Sequence, residues 1–301
     1  MGLGKFLLIL TLIIVVLLAV VIWYYPSSVD FRTENPFWNG LKTFTNQFKA
    51  SLVSSLDSLP STPKETTLVL IPQLEFTEPE VESLQDYLSL GGTVIILDDY
   101  GYGNYILEHL EIDIRFTQQP LLDPLFNYKN KSFPKIIDFT PVSVTEGVDS
   151  IVLNHATSLS GVSEDEILAR SSRFSFLDLD NNSIWNEGDP RGPLPVAAAT
   201  QVNEGYLVLV SDPSILINSM EEMNNNHSFI GNIIEIQGPS PEILVDQSHI
   251  PEASLDDAKA TLKTIRNRLS SPLGISILVV AALIVVLSPI WLKNKRLTPT
   301  R

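Results

Sequence analysis

The chain has 301 residues, of which 44% are hydrophobic and 18% charged, with 20 lysines and arginines, 35 aspartates and glutamates, and no cysteine. The acidic balance excludes a nucleic-acid binder, because phosphate contacts need a basic surface. The missing cysteine excludes a disulfide scaffold, a thiol nucleophile and a cysteine-ligated zinc or iron–sulfur centre.

All 35 acidic residues lie between Pro26 and Pro272, together with 15 of the basic ones, so the apolar material is concentrated at the two ends. Residues 6–25 form an apolar run interrupted only by Thr11. At ~1.5 Å per helical residue the run covers the ~30 Å hydrocarbon core of a bilayer. A cleaved signal peptide has a shorter core and a small-residue cleavage site, neither of which precedes Pro26, so a retained transmembrane helix is expected. Trp23, Tyr24 and Tyr25 suit the membrane interface. Residues 41–59 carry Leu41, Phe44, Phe48, Leu52 and Leu56 at helical spacing, which predicts an amphipathic helix.

Residues 67–72 read as a buried strand, and Thr77 caps a helix over 77–90 that ends at Gly91 and Gly92. A second strand over 93–98 and a short helix over 104–110 complete a strand-helix-strand-helix pattern, the signature of a parallel sheet. The proline-rich stretch 117–149 is an excursion with short β pieces, and order resumes at 150–154 and 166–171. Residues 195–201 and 206–211 form a hairpin about Asn203, Glu204 and Gly205. The fold class is therefore α/β, a mixed but mostly parallel sheet flanked by helices.

Ser254 with Asp257 opens a helix over 254–272 that feeds a second transmembrane helix at 273–292, followed by a basic tail over 293–301. Lys293, Lys295 and Arg296 on that tail, and Lys5 at the other end, place both termini (1–5 and 293–301) in the cytoplasm and the domain at 26–253 outside.

The strings GGTVIILDDYGYGN (91–104) and GYLVLVSDPSILIN (205–218), with the Asn-rich turn and apolar helix over 224–234, resemble the prokaryotic domain of unknown function catalogued as forty-three-fifty. The string FRTENPFWNG (31–40) is similar to the opening segment of its archaeal members. The resemblance implies a membrane-anchored protein with a fold like the class I glutamine amidotransferase domain. It also implies a setting beside MoxR-type ATPases and von Willebrand-like proteins. Amidotransferase chemistry needs a cysteine nucleophile, which is absent here. No GxSxG elbow offers a serine in its place.

His109, His155, His227 and His249 have no paired spacing that would set metal ligands on one face, and each is expected to be structural or superficial. Asp98 and Asp99 open a turn at the carboxyl end of a predicted parallel strand, where open α/β sheets place ligands. The plain reading of that turn is a tight bend whose glycines, Gly101 and Gly103, adopt positive φ. Asp212 before Pro213 reads as a helix N-cap. Should Asp98, Asp99 and Asp212 converge, they form an anionic pocket.

The string DLDNNSIWNEGD sets Asp178, Asp180, Asn182, Asn186 and Asp189 at positions 1, 3, 5, 9 and 12, with the carbonyl of Ile184 at 7, the register of a calcium loop. Ser183 stands where that loop prefers glycine, and Asp189 replaces the usual bidentate glutamate. The competing reading is a polar turn bonded to its own backbone. Asn130, Asn181 and Asn226 match the glycosylation pattern.

The function expected is a non-enzymatic, membrane-tethered interaction module of an envelope complex. Alternatives are a protein that binds a small ligand or divalent cation, with calcium the one candidate cofactor, and a metal-dependent hydrolase.

Overall fold

The computed structural model describes residues 2–295. The chain divides into two compact units, Met1–Tyr25 with Glu252–Arg301, and Pro26–Pro251. In the first, α1 (Leu3–Tyr24) has no buried residue, although its sequence is apolar all round. Its length and composition are those of a helix apolar enough to cross a membrane.

The second unit is built on an eight-stranded sheet. Its strands are β1 (Ser51–Val53), β2 (Thr66–Leu70), β3 (Thr93–Leu97), β4 (Asp138–Phe139), β5 (Ile167–Arg170), β6 (Pro195–Val202), β7 (Gly205–Val210) and β8 (Glu242–Asp246). They lie in the order β1-β8-β2-β3-β7-β6-β5-β4. The first five in that order pair in parallel, and the last three add an antiparallel edge. β2 and β3 are buried along their whole length, which is why each reads as a continuous run without alternation.

Four helices cover the sheet: α2 (Lys42–Gln47), α3 (Glu78–Ser89), α4 (Gly103–His109) and α5 (Asn226–Ile234). On one face Leu84 and Leu88 of α3 and Ile106 and Leu107 of α4 pack on Leu68, Val94, Ile96 and Leu207. On the other, Phe44 of α2 and Phe229 and Ile233 of α5 meet Val69, Ile95, Val208 and Val245. Each such fully buried large side chain contributes roughly 1.5–3 kcal/mol of transfer free energy. α3 is fixed at its start by Thr77, whose backbone N–H and hydroxyl donate to Glu80 Oε2 at 2.8 and 2.7 Å. It stops at Gly91, whose φ of +96° a side chain would resist.

Two expectations for this unit need correction. The helix predicted over 41–59 is only α2, because Lys49 turns to φ +52° and Ser51–Val53 becomes an edge strand. Pairing with Leu244, Val245 and Asp246 of β8 outweighs the helical spacing, a tertiary contact that the local pattern does not contain. Leu41, Phe44 and Leu56 are buried as their spacing suggested, but Leu52 is exposed. Asn226 is fully buried, its amide donating to the carbonyls of Val152 and Met220 and accepting from Val152 N, so in the folded domain it is no glycosylation acceptor. Asn130 and Asn181 are exposed.

The unit's two ends are tied together. Arg32 donates to the carbonyls of Ile250 at 2.8 Å and Pro251 at 3.1 Å.

Beyond Pro251 come α6 (Ser254–Leu269) and α7 (Pro272–Lys295). The N-cap of α6 is Ala253, one residue before the expected Ser254, with Asp256 Oδ2 accepting from Ala253 N at 3.3 Å. Among the described residues α1 alone is by itself long and apolar enough to cross a membrane. The second span expected at 273–292 meets that test only as a pair, Leu255–Leu269 with Pro272–Ile284, bent by 78°. The part of the basic tail at 296–301 lies outside the described residues.

Candidate functional site

The carboxyl ends of β3 and β7 are neighbours, with Leu97 opposite Val210 in the parallel register, so Asp98 and Asp212 leave the sheet side by side. Their side chains have different tasks. Asp98 is fully buried, and its Oδ1 accepts from the N–H groups of Asp99 at 2.9 Å and Gly101 at 2.8 Å, while Oδ2 accepts from Gly103 at 2.8 Å. The carboxylate thus organises the turn that starts α4.

This explains the two glycines differently from the expected positive φ, which neither adopts. A Cβ on Gly101 would sit 2.3 Å from the Pro72 carbonyl, and one on Gly103 would sit 2.6 Å from Asp98 Oδ2. They are glycines because backbone and carboxylate approach that closely. Their N–H groups are already donated to Asp98.

Asp212 is also fully buried and caps the turn of 3₁₀ helix Pro213–Leu216, accepting from Ser214 N at 2.7 Å. Its other oxygen accepts from Asn154 N at 2.6 Å. Burial pushes the Asp98 carboxyl up to about 7 and the Asp212 carboxyl up to about 8, both with help from the charge of Asp99. Half-buried Asp99 is raised by burial as well, and nearby His155 opposes the rise. The structure therefore brings Asp99, Asp212 and His155 into electrostatic reach of one another. Asp98 spends its oxygens on the α4 turn.

The other histidines are held locally. His109 Nδ1 lies 2.8 Å from the Tyr105 carbonyl, and His227 Nδ1 lies 2.7 Å from Oε1 of the buried Glu221. Buried His249 stacks on Phe76 at 3.5 Å, with Nδ1 2.8 Å from Asp246 and Nε2 3.5 Å from Glu80. Ser248 joins Asp246 and His249 on the Nδ1 side, so the three do not form a relay in which the imidazole activates the hydroxyl. Among the described residues no group of three or more His, Cys, Asp or Glu side chains is placed to hold a metal.

The 178–189 segment is a loop closed by the bridge between Phe176 and Arg191. Buried Asp178 accepts from the N–H groups of Asn182 at 3.1 Å and Ser183 at 2.8 Å. Asp180 accepts from the amides of Asn182 and Asn186, and Asp189 from Asn186 N at 2.8 Å. Asn186 also donates to the carbonyl of Ile184 at 3.1 Å. Ser183 adopts φ +65°, the left-handed turn that position 6 of a calcium loop requires. The acidic side chains of this segment are satisfied by hydrogen bonds within the loop itself.

Beside this loop is a groove of about 440 Å³ that sequence reasoning missed. Its apolar lining includes Leu125 and Ile184, 65% and 67% exposed, with Phe174 and Trp185. Its charged residues are Lys131, Arg173 and Arg191, with no acidic residue among them. The Arg191 guanidinium lies 3.6 Å over the Trp185 ring and that of Arg173 4.8 Å over Phe174. The only sequence signal was arginine alternating with aromatic residues in RFSF and, further along, in WNEGDPR. Three separate segments build the groove, so no contiguous motif exists.

No curated protein sequence matches the chain. Among solved structures it is similar to the mmIFT52 N-terminal domain, at 14% identity and a TM-score of 0.50 over 71% of this chain and 95% of that one. A cytoplasmic protein (STM1381) of Salmonella typhimurium LT2 aligns at 13% identity and a TM-score of 0.40 over 64% of this chain and 78% of that one. A ThuA-like protein of Parabacteroides merdae aligns at 10% identity and a TM-score of 0.40 over 64% and 77%. At these identities the likeness concerns the fold alone. The profile of one family matches residues 33–234, which include the sheet from β1 to β7 and both aspartate turns, and the chain accordingly belongs to the domain of unknown function DUF4350.

Proposed function

We propose that the chain is a membrane-tethered interaction module, non-enzymatic, whose acidic α/β domain stands outside the membrane and docks proteins of an envelope complex. In this proposal α1 and residues 273–292 are both anchors and both termini are cytoplasmic. The archaeal setting, the amidotransferase-like ancestry of the fold and partners of the MoxR-type ATPase and von Willebrand-like kinds belong to the same proposal.

The groove is the observation that supports it. Large apolar side chains and arginines displayed together on a soluble face match the composition of interface centres, where aromatic residues and arginine carry most of the binding energy. A crosslinker that does not cross membranes, applied to intact cells, is expected to capture partners on the wild-type chain and to lose them on Trp185→Ala with Ile184→Ala. Capture only after the membrane is broken would reverse the topology. Capture undiminished by the two substitutions would move docking to another surface.

The second reading is a calcium site at 178–189, favoured by the left-handed Ser183 and by the acceptance of the 182 and 183 N–H groups by Asp178. Extracellular modules bind calcium at ~10⁻⁴ to 10⁻³ M. On this reading, titrating the detergent-solubilised chain with millimolar calcium evolves heat that Asp178→Ala with Asp180→Ala abolishes. An isotherm without heat leaves only the hydrogen-bonded turn.

A further inference from the structure

The Pro26–Pro251 unit carries 11 basic residues against 32 acidic ones, so a groove lined by three cations and no carboxylate is a local inversion of its charge. The unit's five arginines divide into two groups. Arg32 is spent on the carbonyls of Ile250 and Pro251, Arg115 on those of Ile112 and Ile114, and Arg170 on Glu164. Arg173 and Arg191 have neither a carboxylate partner nor a hydrogen-bond acceptor among the described residues, and both lie in the groove. Lys131 is there too, donating to the Ser183 carbonyl.

The way the two arginines are held matters. Each guanidinium lies over an aromatic ring, which occupies one face of the planar cation. The N–H donors point from its edge, not its face, and stay available for bidentate contact with an oxyanion. Stacking also restricts the side chain in advance, so less freedom is lost on binding.

We infer that the groove receives an acidic segment of a partner protein, with aspartate or glutamate carboxylates on Arg173 and Arg191 and an apolar side chain seated against Ile184 and Trp185. Exposed Ile184 and Leu125 select this occupant over a bare anion. An inorganic phosphate or a lipid headgroup satisfies the cations and leaves the apolar lining in water, whereas a peptide alternating acidic and apolar residues covers both. This inference rests on the interaction reading above and assigns its partner a chemistry.

The test uses the full chain in neutral detergent and a fluorescent peptide alternating glutamate with leucine and phenylalanine. Binding is expected to weaken steeply with salt and to fall about tenfold or more in Arg173→Gln with Arg191→Gln, while Arg191→Lys, which keeps the charge and loses the fork, shows an intermediate loss. An unchanged melting temperature in each variant confirms that folding is not what was lost. Equal binding of the matching glutamine peptide, equal competition by inorganic phosphate, or preference for anionic vesicles over the peptide would each overturn the inference. If the crosslinked partners persist in the double glutamine variant and vanish in Trp185→Ala, the acidic chemistry fails and the interaction module stands.

Discussion

Asp98→Ala is expected to lower the melting temperature of the α/β unit by roughly 10 °C or more. The substitution strands three N–H donors, the buried one of Gly103 and the part-buried ones of Asp99 and Gly101. An unsatisfied buried donor costs about 1–3 kcal/mol, and in a domain of this size each kcal/mol moves the midpoint by about 2–4 °C. Asp98→Asn keeps a carbonyl oxygen in place and should recover part of the loss. Thermal unfolding followed by circular dichroism decides the matter, and a shift below about 2 °C for the alanine variant would mean that the turn closes without its carboxylate.

The second large effect is on pH. Asp98 and Asp212 hold their protons up to about pH 7 and about pH 8 in the folded unit. In the unfolded chain both ionise near ~3.9. Between those limits the folded state binds more protons, so stability from these two groups is complete only below the unfolded value and is lost progressively as pH rises from there through the folded values. Each contributes a slope of up to about 1.4 kcal/mol per pH unit in that window. The melting temperature is therefore expected to be several degrees higher near pH 5.5 than near pH 8.5, and Asp212→Asn should flatten the profile. A midpoint that climbs from pH 5.5 to 8.5 would show that neither carboxyl holds its proton.

Where the sequence was legible, local pattern and long-range pairing agreed. β2, α3 and β3 follow one another with a capped start, a glycine stop and uninterrupted β-branched strands, and all three were readable with nearly their observed limits. The 195–211 hairpin was legible because Asn203 and Gly205 punctuate it. β1 was hidden inside a helical spacing because its only cause is β8, far along the chain. The meeting of Asp98 and Asp212 was legible only as a condition, since 206–211 read as half of a hairpin and its parallel pairing with β3 appears only in the fold. Their occupation by backbone N–H groups was not legible, because it depends on the path of the turns. The groove was the least legible feature, since its cations and rings come from segments around 125, 174 and 185 that only the folded excursion brings together.

The tie between Arg32 and the Ile250 carbonyl spans 218 residues, and β1 beside β8 closes the sheet over a similar distance. Contacts of such separation make folding slow, because loop-closure entropy is spent before they form. During synthesis the first-made part of the unit must wait for its last-made strand, with the edges of β1 and β2 open meanwhile. The sheet cannot be completed on the ribosome until nearly the whole unit has emerged. Folding of this domain therefore belongs to the compartment in which residues 242–251 arrive, and any factor that shields its open edges must act there.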